Sequence, residues 1–209
     1  MILVVVVALS AIGILMVYSS SAIRGYLSDD ADTFAIVGPQ IQWAVLGIGA
    51  MAVMMRVDYR YLRLVSVPFY LFAIALLVLV FVPQFNIVIG GSARWLKLGP
   101  LPAIHPAEIA KLALVIYLAH WFAKRGTKVG TVWGTAAFLI IVTPVIALVF
   151  REPDLGTTMV ITGTAFALFF VGGANILHLG IMGAGAGAAM IVAGLQGYQL
   201  DRIRAWLNP

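Results

Sequence analysis

The sequence predicts an all-α fold, a polytopic bundle of about seven transmembrane helices. Two observations carry that prediction. The chain is 63% hydrophobic and only 10% charged over 209 residues, with a mean hydropathy of +1.06, too little polar surface for a soluble domain. Apolar runs of about 20 residues, the length needed to cross the hydrocarbon of a bilayer, recur along it between charged or glycine- and proline-rich breakers.

Taken in order, the runs place spans near residues 1–18, 37–55, 64–82, 105–123, 131–150, 157–174 and 179–196. The first opens directly from Met1 into Ile2–Ala8 with no basic segment and no clear cleavage site, so it is predicted to be a retained span. Arg24 to Asp32 separates it from the second, and Arg56 to Arg63 separates the second from the third. A long loop from Pro83 to Pro102 follows the third span. Lys124 to Lys128 closes the fourth, Arg151 to Asp154 the fifth, and Gly172 to Asn175 the sixth. In the seventh, Gly183 and Gly187 stand in GxxxG spacing, which predicts close helix packing inside the bundle, with a loosely packed, lipid-facing helix as the plainer alternative. Residues 1–209 read as one membrane domain, without a low-complexity linker or an obvious internal repeat.

Charge places the two faces. Arg56, Arg60, Arg63, Lys124, Arg125 and Lys128 would share one side, with only Asp58 against them. Arg24, Arg94, Lys97, Arg151, Arg202 and Arg204 would share the other, balanced by Asp29, Asp30, Asp32, Glu152, Asp154 and Asp201. The basic counts tie, but the first set forms compact clusters at span ends, the pattern of cytoplasmic anchors. The N-terminus is therefore predicted to be cytoplasmic. The net charge of +5 is scattered over short loops, which argues against nucleic acid as a partner. The absence of cysteine excludes disulfides, thiol catalysis and thiolate metal sites.

Ionisable groups near a membrane interior are costly and usually kept for a purpose. Glu108 and Lys111 stand at i and i+3 on the fourth span, so they share a face. Two accounts fit: a local ion pair that neutralises two charges, or the lining of a polar cavity. His105, one turn earlier, reads as an interfacial or helix-start residue, with no second histidine at metal-ligand spacing. Asp154, in Arg151-Glu152-Pro153-Asp154-Leu155-Gly156, lies where the sixth span begins. A carboxylate there complements exposed helix N–H groups, and a partnership with Lys111 is the other, compatible account. Arg94 and Lys97 flank Trp95 in the Pro83–Pro102 loop. Arginine and tryptophan at a membrane surface suit a phosphate-bearing lipid, and a solvated loop is the plainer alternative. The tail from Tyr198 to Pro209 has the same basic and aromatic character and reads as a surface-lying amphipathic turn.

Five motifs in order resemble the SEDS family (shape, elongation, division and sporulation), the group of RodA, FtsW and SpoVE. They are Gly13-Ile-Leu-Met-Val-Tyr-Ser-Ser-Ser21, Gly91-Ser-Ala-Arg-Trp-Leu-Lys-Leu-Gly99, Pro106-Ala-Glu-Ile-Ala-Lys111, Pro153-Asp-Leu-Gly-Thr157 and Arg202-Ile-Arg-Ala-Trp-Leu-Asn-Pro209. The Met-Val-Tyr-Ser stretch, Pro-Ala-Glu and the Asn-Pro ending look closer to the FtsW branch. The resemblance implies the first seven spans of a ten-span glycosyltransferase of the bacterial cytoplasmic membrane. Such an enzyme polymerises lipid II by inversion and works with a class B penicillin-binding protein. It further implies that Arg94, Glu108, Lys111 and Asp154 line a central cavity, with Lys111 and Asp154 in an interhelical salt bridge. By the same analogy no catalytic residue lies in this chain, because the expected aspartate belongs to a large outer loop beyond Pro209. Arg94, and with it Lys97, would stabilise a departing pyrophosphate. No cofactor is implied beyond a divalent cation that could share that work, and the sequence shows no site for one. His105 and Glu152 both stand where the family usually has glutamine. Two other functions fit the charged residues in the membrane: a transporter or flippase of the lipid-linked precursor, and a non-catalytic partner of a penicillin-binding protein.

Overall fold

The computed structural model describes residues 2–27, 33–89, 92–97, 103–152 and 154–194. Helices dominate, as composition predicts, and contacts divide the chain into two compact units, Met1–Tyr59 and Arg60–Pro209. The described stretches include five helices long and apolar enough to cross a membrane, and two further apolar helices that are shorter. These seven helices fall where the seven apolar runs predict spans. The protein is a multi-pass membrane protein.

In the first unit, α1 (Ile2–Leu27) packs against α2 (Thr33–Met54). Helix α1 runs well past residue 18 because its serines stay helical. Ser21 is buried, and its hydroxyl donates to the Val17 carbonyl at 2.8 Å, so the side chain is satisfied by its own helix rather than by water.

The second unit holds α3 (Tyr59–Leu79), a hairpin of β1 (Asn86–Ile89) and β2 (Ser92–Leu96), α4 (Pro106–Arg125), a 3₁₀ turn over Gly126–Gly130, and α5 (Val132–Arg151), α6 (Leu155–Val171) and α7 (Ile176–Gly194). Its core gathers side chains from α3 to α6. Leu77, Leu118, Phe138 and Phe169 are wholly buried, and the Phe138 and Phe169 rings stack at 4.1 Å between centroids. Lipid tails are as apolar as leucine, so such contacts hold by close packing rather than by escape from water.

The hairpin replaces what the sequence suggests is a plain loop. The strands pair antiparallel, Asn86 with Leu96 and Ile87 with Trp95. Leu96 is wholly buried beside Leu76 and Val80. It exchanges two backbone hydrogen bonds of 2.9 Å with Ile104, which delivers the chain to the start of α4. The hairpin is thereby held at the start of α4, where Arg94 and Trp95 join the site.

Among the described residues, the glycines of α7 meet no close neighbour. A methyl at Gly180, Gly185 or Gly187 would meet nothing within 4 Å, and one at Gly183 would only touch Phe166 at 4.0 Å. Helices α5, α6 and α7 leave an apolar cleft of about 400 Å³ between them, lined by Phe138, Val142, Ile146, Phe166, Met182 and Met190 among others.

Candidate functional site

Three helix ends and one strand meet in a small charged cluster. Helix α4 starts sharply because Pro106 occupies its first position and needs no N–H partner. His105, in extended conformation just before it, is therefore fixed at the helix mouth. Trp95 of β2 packs edge-on against the His105 ring, with centroids 5.2 Å apart. Helix α6 starts at Asp154, whose carboxylate accepts from the Thr157 backbone N–H at 3.1 Å and from the Thr157 hydroxyl at 2.8 Å. This is the helix-start role that the sequence suggests. Helix α5 ends at Arg151, and Glu152 follows as its C-cap. Arg94 of β2 donates from Nε to the backbone carbonyl of Glu152 at 3.1 Å. That bond ties the hairpin to the turn between α5 and α6.

Electrostatics set the charge state of each member. Burial would raise the Asp154 carboxyl, but the two Thr157 hydrogen bonds and the nearby Arg94 and His105 outweigh it and hold it below its ordinary value. Burial lowers His105, opposed by Asp154 and Glu108 and reinforced by Arg94 and Lys111. His105 Nε2 stands 3.6 Å from Asp154 Oδ2, beyond hydrogen-bond range. The contact is one between a neutral imidazole and a carboxylate near pH 7, not an ion pair. Burial also pushes Glu152 up to about 8, helped by Asp154 and only partly offset by Arg94.

The ion pair implied between Lys111 and Asp154 is not formed. Lys111 Nζ sits 2.8 Å from Glu108 Oε2 and 3.0 Å from Glu108 Oε1, while Asp154 is taken up by Thr157. The i,i+3 spacing on one helix satisfies Lys111 locally, at less entropic cost than reaching across to α6. Lys97 differs from the rest: its side chain is exposed, and its backbone N–H donates to Phe85 at 2.9 Å. Among the described residues no three histidine, aspartate or glutamate side chains are grouped to hold a metal ion. Both Asp154 oxygens accept hydrogen bonds from Thr157.

Residues 1–209 match the family described as "Cell cycle protein", that of FtsW, RodA and SpoVE. The chain belongs to this family. Among curated relatives of the FtsW/RodA/SpoVE chain, the "Probable peptidoglycan glycosyltransferase FtsW" of Geobacter metallireducens is 33% identical over all of it and 56% of the relative. The "Stage V sporulation protein E" of Bacillus subtilis is 32% identical over all of the chain and 57% of the relative. The chain thus spans a little over half the length of these relatives. Among solved structures, the rod shape determining protein RodA of Thermus thermophilus superposes with a TM-score of 0.64 at 29% identity, over 85% of this chain and 58% of RodA. A peptidoglycan synthase complex superposes with a TM-score of 0.63 at 27% identity, over 94% of this chain and 59% of that one.

Within this family member, the structure brings Arg94, His105, Glu152 and Asp154 together and sets the Glu108–Lys111 pair one turn along α4. Glu152 was not singled out as a site residue by its sequence. The available signal was two carboxylates flanking Pro153 at a junction between apolar runs, which places one of them where water does not reach. The tail from Tyr198, with Arg202 and Arg204, and the loop glycines and prolines Gly90, Gly91, Gly99, Pro100 and Pro102 lie outside the described residues.

Proposed function

We propose that residues 1–209 form a single SEDS-type membrane domain and serve as part of a peptidoglycan glycosyltransferase that polymerises lipid II at the outer face of the bacterial cytoplasmic membrane. The observation that carries this reading is the cluster of Arg94, His105, Glu152 and Asp154 at helix ends, continuous with Glu108 and Lys111, on a chain whose relatives carry the glycosyltransferase name. A soluble carbohydrate enzyme has no need of such a site on apolar helices; a lipid-linked sugar diphosphate does.

In this reading the N-terminus faces the cytoplasm and the hairpin faces outward. A carboxylate from chain outside these residues takes the proton from the 4-hydroxyl of one lipid II molecule. The freed oxygen attacks the anomeric carbon of a second, lipid-diphosphate-linked glycan with inversion, the bond to the diphosphate breaks, and the lipid diphosphate leaves. Arg94 supplies positive charge for the leaving diphosphate, with Lys97 an outer contribution. Glu108 and Lys111 hold the helix face beneath it. A class B penicillin-binding protein receives the strand for cross-linking.

The test is polymerisation of labelled lipid II by the protein extracted whole from its own membranes, whose intact mass also shows whether chain extends past Pro209. Glycan ladders that shorten sharply in Arg94→Ala and Lys111→Ala support the reading. Ladders of wild-type length in both overturn the site. Transfer of labelled lipid II across vesicles with no lengthening would favour a flippase instead.

A further inference from the structure

Glu152 is the one carboxylate of the cluster for which the described residues supply no hydrogen bond. Its side chain is 1% exposed, and Oε1 and Oε2 both lack a partner. Its own backbone carbonyl, by contrast, receives Arg94 Nε at 3.1 Å. A charged guanidinium therefore rests on the main chain of a glutamate whose carboxyl group it does not hydrogen-bond.

An ionised carboxylate in that position would have no donor and would lie next to a second carboxylate, Asp154. Buried charge without a donor is strongly disfavoured, and two nearby carboxylates repel. The charged groups acting on Glu152 are Asp154 at the start of α6 and Arg94 on β2. The cluster is completed by His105, just before α4, which acts on Asp154, and by Glu108 and Lys111 of α4, which act on His105. Arg151, the neighbour in sequence, turns away over the Phe81 ring at 5.9 Å.

We propose that Glu152 is a positioning residue that works in its protonated form: the neutral carboxyl leaves Arg94 on the backbone carbonyl of the α5–α6 turn, and loss of the proton transfers the guanidinium to the carboxylate. The hairpin is the element that moves. Arg94 Nε is one tie of β2 to that turn, and Trp95, the next residue, carries the contact with His105. The step is a simple ionisation, with the proton going to solvent base. Burial and Asp154 together push the group up to about 8, which puts the transition just above neutral pH. A glutamine at this position would be locked in the first state, so the glutamate adds a proton switch to an otherwise fixed latch. The inference goes beyond the polymerase reading and does not depend on it.

Two measurements on the full chain test it, neither of which reads activity. Infrared difference spectra at neutral pH are expected to show the carbonyl stretch of a protonated carboxylic acid that is lost in Glu152→Gln. Identical spectra overturn the proposal. Hydrogen exchange of the segment from Ser92 to Lys97, corrected for intrinsic rates, is expected to lose protection as the pH rises through about 8 in the wild type and to stay level in Glu152→Gln. The same pH dependence in both overturns it. If Glu152→Gln does not fold, the wild-type spectrum alone decides: an acid band that has already disappeared in the ordinary carboxylate range rules the switch out.

Discussion

The Tyr70 hydroxyl on α3 donates to the carbonyl oxygen of Ile141 on α5, in the same turn that Pro144 disturbs. Proline removes an N–H from the helix ladder and crowds the preceding turn. The carbonyl that loses its N–H there is that of Ile140, four residues before the proline; Tyr70 adds a donor from α3 to the next carbonyl, Ile141. Tyr70→Phe keeps the ring stack on Tyr117, whose centroid lies 4.6 Å away, and removes the hydroxyl alone. Its expected cost is about 1 to 2 kcal/mol, read as a lower thermal unfolding midpoint in detergent. An unchanged midpoint would show that this bond does not stabilise the packing of α3 on α5.

Lys111 and Glu108 make an ion pair whose side chains are 30% and 59% exposed. Half-exposed pairs contribute no more than about 1 kcal/mol. Lys111→Met is therefore expected to unfold near the wild-type temperature, while under the proposed function strand synthesis by the whole protein falls on the order of 10- to 100-fold. Loss of fold and activity together would instead make Lys111 a structural residue.

Asp154 acts first as the cap of α6. Asp154→Ala strips acceptors from the Thr157 backbone N–H and hydroxyl and is expected to lower stability by about 1 kcal/mol. Asp154→Asn keeps a carbonyl oxygen in the same place and is expected to recover most of that loss. If asparagine and alanine are equally destabilising, the charge facing Arg94 and His105 matters more than the cap.

The pH dependence follows from three shifts of different sign. Glu152 is raised from 4.5 to about 8, so between those values the folded chain keeps a proton that the unfolded chain has lost. Stability therefore falls as the pH rises through that window. His105 is lowered from 6.5, so the unfolded chain takes up its proton first and stability is lost as the pH drops below that value. Asp154 is lowered from 3.8, so its contribution is present above that value and lost as the pH falls below it. The unfolding midpoint is expected to decline from pH 6.5 to 8, and Glu152→Gln is expected to flatten that alkaline slope. The decline is on the order of a few kcal/mol at most. A slope that survives the substitution would place its origin elsewhere.

The helices were legible because charge and proline punctuate them: α4 was expected over 105–123 and runs Pro106–Arg125, starting at the proline and closing on Lys124 and Arg125. Helix α1 was underestimated because Ser19-Ser20-Ser21 reads as a polar stop, whereas Ser21 returns its hydroxyl to Val17. The hairpin is only two short strands, Asn86–Ile89 and Ser92–Leu96, too short a pattern to stand out among the glycines and prolines of the loop. Site partners were the least legible. The spacing of Glu108 and Lys111 predicts their pair, but whether Glu152 is buried depends on how β2 is laid over the α5–α6 turn, which no local pattern encodes.

Among the described residues the GxxxG pair of α7 meets no close neighbour, whereas Gly134, near the start of α5, lies against the 3₁₀ turn. A methyl there would sit 2.4 Å from the carbonyl oxygens of both Lys128 and Val129. Those atoms are backbone, and the turn they belong to is fixed by Thr131, whose side chain accepts from Gly134 N–H at 3.1 Å, so they cannot swing aside. Gly134→Ala is expected to cost more than about 2 kcal/mol through overpacking. Gly187→Ala meets nothing within 4 Å and is expected to be neutral or to stabilise α7 by about 0.5 to 1 kcal/mol through the better helix propensity of alanine. Unfolding midpoints of the two variants under one condition decide the matter: a larger loss at Gly187 than at Gly134 would mean that α7 is tightly covered in the membrane and that its glycines are the packing surface after all.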